Sequence, residues 1–223
     1  MDFAAIPAGD FWMGWESGLP GERPRHRVWL PGFGIARRPV TNAEYDTFAA
    51  ATGGAPPPFR ADPRFADREQ PVVAVRWDDA VAFCAWLGPG HRLPTDAEWE
   101  RAARGGIEDA RYPWGDAPPE SVQLPLGGPP RVGGGPANGF GLTDLTGCVH
   151  EWCLDWHADG YYAVSPERSP AGPPTGTRRV SRGGAWRHQN PWSSVAHRSS
   201  LPPGLRYSDY GFRVAREARP GRL

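Results

Sequence analysis

The chain has 223 residues, with 25 acidic side chains balancing 25 basic ones, and every basic side chain apart from six histidines is arginine. A formal charge of zero removes any general attraction to nucleic acid or anionic membrane, and no apolar run is long enough to cross a bilayer. Gly 29 and Pro 27 approach low-complexity levels, yet 11 tryptophans supply the large apolar surfaces a disordered chain lacks, so a folded, loop-rich domain is expected.

The opening MDFAAIPAGDFWMG has neither a basic region nor a long apolar stretch, so no secretory leader is read and a cytoplasmic location is the default. Phe3 to Gly14 and Val28 to Phe33 alternate loosely and predict two short strands. Thr41-Asn42-Ala43-Glu44 is a capping box, and it predicts a helix with Tyr45, Phe48 and Ala49 on one face, stopped by Gly53-Gly54. Ala55 to Gln70 reads as loop and Val72 to Val75 as a strand. Asp78 or Asp79 then caps a helix whose Ala80, Phe83, Cys84 and Leu87 share a stripe, ending at Gly88. Thr95-Asp96-Ala97-Glu98 opens a third helix, with Trp99, Ala102 and Ala103 on one side.

From Tyr112 to Gly135 the chain is irregular. The triple glycine 133–135 has no Lys and no Ser or Thr at phosphate-loop spacing, which excludes that site. His150-Glu151 lacks a second histidine one turn on, where Leu154 stands, which excludes a zinc-protease helix. Three cysteines, Cys84, Cys148 and Cys153, are too few for a disulfide framework. Cys84 lies on an apolar stripe, as an inert buried thiol would.

Near the end, RVSRGGAW and YGFRVAR predict strands, the first passing tightly through Gly183-Gly184. Between them Arg187, His188, Gln189, Asn190, Ser193, Ser194, His197, Ser199, Ser200, Leu201, Leu205, Tyr207, Ser208, Asp209 and Tyr210 follow no period and read as displayed loops. Five of the ten serines fall in this middle. Tyr, Ser, Asn and His give contact area and adaptable hydrogen bonds at small entropic cost, as recognition surfaces do. Trp186, Trp192, Tyr207 and Tyr210 are its candidate aromatic anchors, with Trp186 read chiefly as core.

The ordered blocks FWMG, RRPVTNAEY, PVVAVRWDDAVAFCAWLG, RLPTDAEWERAARGG, YPWGD, NGFGLTDLTGCVHEWCLDW, RVSRGGAW and GFRVA resemble the formylglycine-generating enzyme (sulfatase-modifying factor) family over essentially the whole chain. The resemblance implies an α+β fold of C-type lectin-like, formylglycine-generating-enzyme type. It would be one loop-rich domain over 1–223 with short antiparallel strands and about three capped helices. Enzymes of that family carry two copper-binding cysteines after RGGS; the matching positions here are His188 and Ser193, which cannot form a thiolate pair. GCVHEWC, the block holding Cys148 and Cys153, is implied to pack in the core rather than to supply a redox pair. The family's calcium site maps to the carbonyls of Thr146, Gly147 and Val149 with the Glu151 carboxylate, an oxygen set suited to a structural Ca2+; no other cofactor is required. A second calcium loop, between Pro118 and Asn138, is shortened, with Glu120 its only acid. The His-x3-His-x-Glu iron triad of related sulfoxide synthases is missing.

The tail from about 182 to 216 is also similar to the variable region of proteins made by diversity-generating retroelements, where adenine-directed errors rewrite AAY codons. Such rewriting yields Ser, Tyr, His, Asp, Arg, Leu, Gly, Val or Ala, which covers nearly every displayed position; Gln189 does not fit. Three readings stay open: a monomeric recognition protein for an unidentified protein or other macromolecule, an oxidoreductase or its cysteine-free derivative, and an invariant interaction domain.

Overall fold

A computed structural model describes residues 1–117, 127–187 and 193–218. The loose alternation at the start is four strands rather than two, because Pro7 and Pro31 break each run. These are β1 (Phe3–Ile6), β2 (Gly9–Met13), β3 (His26–Leu30) and β4 (Phe33–Ala36). Helix α1 (Asn42–Thr52) starts at the expected capping box, with Thr41 and Glu44 bonded reciprocally, and ends at left-handed Gly53.

The expected strand at 72–75 does not form. Ala74 sits at φ +58, out of the extended region, and the only pairing there is an isolated bridge from Thr41 to Pro71. Helix α2 (Trp77–Trp86) begins earlier than expected: Arg76 is its cap, and Asp79 reaches back to the Arg76 amide at 2.8 Å instead of capping itself. After β5 (His91–Arg92), α3 (Asp96–Arg104) follows the Thr95/Glu98 capping box, as the sequence indicates.

The second half supplies β6 (His150–Trp156), β7 (Arg179–Arg182), β8 (Arg198–Leu201), β9 (Tyr210–Gly211) and β10 (Ala215–Glu217). One sheet has the order β1-β4-β10-β5, a second is the β2-β3 hairpin, and a third has the order β8-β7-β6-β9. The named strands pair antiparallel except β6 with β9. The first and last strands thus flank β4.

The glycines at 183 and 184 are needed where they stand. Both have positive φ, and a Cβ on Gly183 would lie 3.0 Å from the Leu145 carbonyl and 3.3 Å from the Trp99 ring. Trp99 and Trp152 are wholly buried, and each indole finds an acceptor: Trp99 Nε1 donates to Glu151 at 2.6 Å and Trp152 Nε1 to the Val75 carbonyl at 3.1 Å.

Arginine also goes inside. Arg182, on β7, is fully buried and donates to Asp96, to Glu100 at 2.8 Å and to the Tyr162 hydroxyl at 2.9 Å. Its remaining contacts go to the carbonyls of Val195 and His197. Glu100 is shared with Arg104 at 2.6 Å and accepts from the Gly14 amide, while Arg198 reaches the second Asp96 oxygen at 2.9 Å. This network joins α3 to β2, β7 and β8. Removing one member leaves the others charged and buried, so Arg182→Met is expected to cost about 3–5 kcal/mol of stability. Denaturant unfolding checks this: a midpoint equal to the parent's contradicts the role given to Arg182.

Candidate functional site

The tail is not the run of displayed loops its composition suggests. Ser193, Ser194, His197, Leu201, Asp209 and Tyr210 are buried, and Ser199, Ser200 and Ser208 are half-buried. Part of the cause is strand β8, which pairs residue for residue with β7 from Arg182↔Arg198 to Arg179↔Leu201. His197 Nδ1 meets Glu22 at 3.0 Å, and Leu201 packs into the core. Arg187, Leu205 and Tyr207 are exposed as expected. Arg187 Nε donates to Asp209 at 2.8 Å. His188, Gln189, Asn190 and Trp192 lie outside the described residues. Trp186 is half-buried against the Phe65 ring and donates to the Ser208 carbonyl, in keeping with a core role.

Part of the tail nevertheless comes together at an opening. A cavity of about 470 Å³ is lined by His197, Arg198, Ser199 and Ser200, with Leu19, Gly21 and Glu22 across from them and His150, His157, Asp159 and Arg178 completing the wall. Tyr210 packs behind two of the lining residues: its ring stacks on His150 at 4.7 Å, and its hydroxyl lies 3.4 Å from both Ser181 and Ser199 hydroxyls. Tyr207, exposed, is 6.2 Å from Tyr210 ring to ring. Arg178 Nε donates to the Ser200 hydroxyl at 2.9 Å, and its guanidinium also bonds the Ser200 carbonyl. Glu22, His157 and Asp159 escape the sequence reading. His157-Ala158-Asp159-Gly160 sits in a turn after β6, and only its placement after a strand could have marked it.

Ser194 and Ala196 line a separate cavity of about 380 Å³ with Trp15, Leu19, Glu22 and Arg111. A third, about 670 Å³, is bounded by Trp114, Pro113, Leu145, Thr146, Gly147 and Cys148 among others.

The calcium set does not fit a cation. Both Glu151 oxygens accept from the fully buried Arg213 guanidinium at 2.8 Å, and Oε2 also takes the Trp99 indole. The Gly147 amide is held by the Gly183 carbonyl. A cation would share its one carboxylate with an adjacent guanidinium, so the site is better described as an internal ion pair. Among the described residues no group of three or more His, Cys, Asp or Glu side chains is arranged for a metal.

All three cysteines are buried and unpaired. Burial pushes the Cys84 thiol up to about 12, and Cys148 and Cys153 well above the ordinary range. Thiols held so far from ionisation are poor nucleophiles and redox groups.

Beneath the cavity two carboxyls share one environment. Burial would raise Asp96, but Arg182 and Arg198 hold it below the usual range. Asp155 accepts the Asp96 amide at 2.8 Å, and burial together with the Asp96 charge lifts it to about 7. His157 is pushed down by burial and by Arg198. Arg178 and Arg198 thus line a polar cavity beside an Asp96 held low and an Asp155 held high.

The fold is α+β, of the C-type lectin-like type shared by formylglycine-generating enzymes. The profile of the sulfatase-modifying factor enzyme 1-like domain matches residues 1–218, and the chain belongs to that family. It is 35% identical to a formylglycine-generating enzyme of Streptomyces coelicolor, covering 96% of this chain and 88% of that protein. It is also 35% identical to serine/threonine-protein kinase pkn1 of Chlamydia caviae over 95% of this chain, but spans only 37% of that protein. Treponema denticola variable protein 1 superposes with a TM-score of 0.85 over 97% of this chain and 95% of its own, at 27% identity. No described helix is long and apolar enough to cross a membrane.

The Asp155 proton sets a pH dependence. An ordinary aspartate loses its proton near 3.8, whereas folded Asp155 keeps it to about 7. Its contribution to stability is therefore full below the ordinary value and is lost as pH rises through about 7. Asp96 and Glu100, held low by their arginines, act in the opposite sense at acid pH. Asp155→Asn is expected to remove the decline between about pH 4 and 7 that Asp155 imposes, seen as a flatter Tm profile than the parent's. Parallel profiles for the two proteins count against it.

Proposed function

We propose that the protein is a recognition protein that holds a protein or other macromolecular ligand at the β8 cavity, through side chains of the segment 182–216 that are exchanged between copies. This is the manner of the variable protein of a diversity-generating retroelement. The likeness to Treponema denticola variable protein 1 is the observation that carries this reading. It is supported by the cavity wall, where Ser199 and Ser200 of the tail meet Arg178 and His157 of the frame. Neither a metal nor a membrane is called on, and the unit that binds is a monomer.

The burial pattern divides the tail by what each side chain supports. Arg187, Ser199, Ser200, Leu205, Tyr207 and Ser208 are exposed or half-buried, and exchange there touches little of the core. Ser193, Ser194, His197, Leu201, Asp209 and Tyr210 are buried, and exchange there leaves cavities or unpaired polar groups. Substitutions at Ser199, Ser200, Leu205 and Tyr207 are expected to stay within about 0.5 kcal/mol, while His197→Ala and Tyr210→Ala cost more than about 1 kcal/mol. Thermal denaturation of the series decides this, and equal sensitivity of the two groups removes the division.

The reading as a whole is tested in the gene. A near-duplicate of the segment encoding residues 182–216, differing mainly at adenines, is expected beside a reverse transcriptase gene. Its absence overturns the reading.

A second reading, a formylglycine-generating-type oxidoreductase or cysteine-free derivative, is favoured by the 35% identity to the Streptomyces coelicolor enzyme over most of both chains. Against it stand Ser193, where that chemistry needs a thiolate, and the burial of every cysteine the chain has. A thiol-specific disulfide reagent is expected to label the native protein only on unfolding. Rapid labelling of a native cysteine, with copper bound in stoichiometric amount, favours the enzyme.

A further inference from the structure

The ionic groups on the wall of the β8 cavity fall into two sets. The first is engaged within the protein. Glu22 takes His197 on one oxygen at 3.0 Å and the Leu19 amide on the other at 3.1 Å, and Arg198 is held by Asp96 and by the Gly21 carbonyl. The second set, Asp159 and Arg178, is not neutralised. Among the described residues Asp159 has no cation within salt-bridge distance, and Arg178 has no carboxylate there. Arg178 bonds Ser200 through Nε and Nη2, which leaves Nη1 with no described partner. Both residues are exposed.

The backbone keeps these two opposite charges close. The His157 amide donates to the Arg178 carbonyl at 2.8 Å, which sets the two residues side by side where β6 ends and β7 begins, and Asp159 stands two residues further on. One interstrand step and two residues of chain span at most about 13 Å between Cα atoms, so both side chains fall within reach of one small molecule. His157 is on the same wall, and burial together with Arg198 disfavours its cation, so the imidazole adds a hydrogen-bonding group rather than a third charge. At about 470 Å³ the cavity is of small-molecule size. A lone anion drawn to Arg178 also meets Asp159 and Glu22, and a lone cation drawn to Asp159 also meets Arg178 and Arg198. A molecule that carries both signs satisfies each without opposing the other.

We infer that this wall binds a small zwitterion of the amino-acid class, with its carboxylate on Arg178 and its ammonium on Asp159. The Ser200 hydroxyl accepts from Arg178 and keeps its own proton to donate to the same carboxylate. The site goes beyond the recognition reading. His157, Asp159 and Arg178 precede residue 182, so both charges belong to the frame whatever side chains the tail carries.

The test titrates the whole isotope-labelled protein with glycine, β-alanine, γ-aminobutyrate and ε-aminocaproate, a series that steps the distance between the two charges. Acetate and methylammonium serve as single-charge probes at the same ionic strength, and the amide resonances of residues 157–160 and 178 are followed by NMR. One zwitterion is expected to saturate in roughly the millimolar range, with acetate and methylammonium each about fivefold weaker or more. Asp159→Asn, at an exposed side chain with no described ion pair to lose, is expected to bring that zwitterion to the level of acetate, and Arg178→Gln to the level of methylammonium. Acetate binding as tightly as the best zwitterion, no saturation by any zwitterion, shifts confined to other residues, or an Asp159→Asn protein that binds like the parent overturns the site. Absence of the adenine-differing repeat from the gene sinks the diversified reading alone, since neither charged residue lies in the segment that repeat would encode.

Discussion

The structure depends on arginines that must be neutralised away from water. Arg182 and Arg213 are wholly buried, Arg104 nearly so, and each is met by a buried carboxylate and by main-chain carbonyls. These pairs tie together segments that are far apart in the chain: Arg213 joins Glu151 to the carbonyls of Ala36 and Arg37, and Arg182 joins α3 to the tail. Guanidinium suits this task because its planar fork serves several acceptors at once and stays charged when buried. In a loop-rich chain with few long strands, such forks perform the registration that long ladders perform elsewhere.

The same pairs shape the cavity. Arg198 is held from below by Asp96 and from the side by Gly21, which fixes the strap around residues 15–23 over the tail. His197 on Glu22 adds a second tie. The wall facing solvent is thereby separated from the wall facing the core within four consecutive residues. Along the tail Ser199 and Ser200 are left half-buried and Tyr207 exposed, while His197, Arg198 and Tyr210 are buried.

How much of this could be read from sequence differs by the range of the interaction. The boxes at Thr41/Glu44 and Thr95/Glu98 are local chemistry, and both helices start where they indicate. The family blocks carried the fold. Strand β8 was illegible because Arg198-Ser199-Ser200-Leu201 has no local strand signature; it becomes a strand through β7 and through Asp96, distant in sequence. Val72–Val75 erred the other way, apolar enough for a strand but turned aside at Ala74. Serine misled most: Ser193 and Ser194 look like surface by composition, yet both are buried. Glu151 was not legible from sequence, because a carboxylate among carbonyls looks the same on paper whether it meets calcium or Arg213.

The placement of β10 between β4 and β5 has a further consequence. The latest-made of the described strands closes the sheet begun by the first, so a nascent chain carries bare ladder edges on β4 and β5 until its last strand has been made and has settled. A substitution in the last segment that cannot seat β10 leaves those edges to clump or be degraded, so only chains that fold to their final strand accumulate.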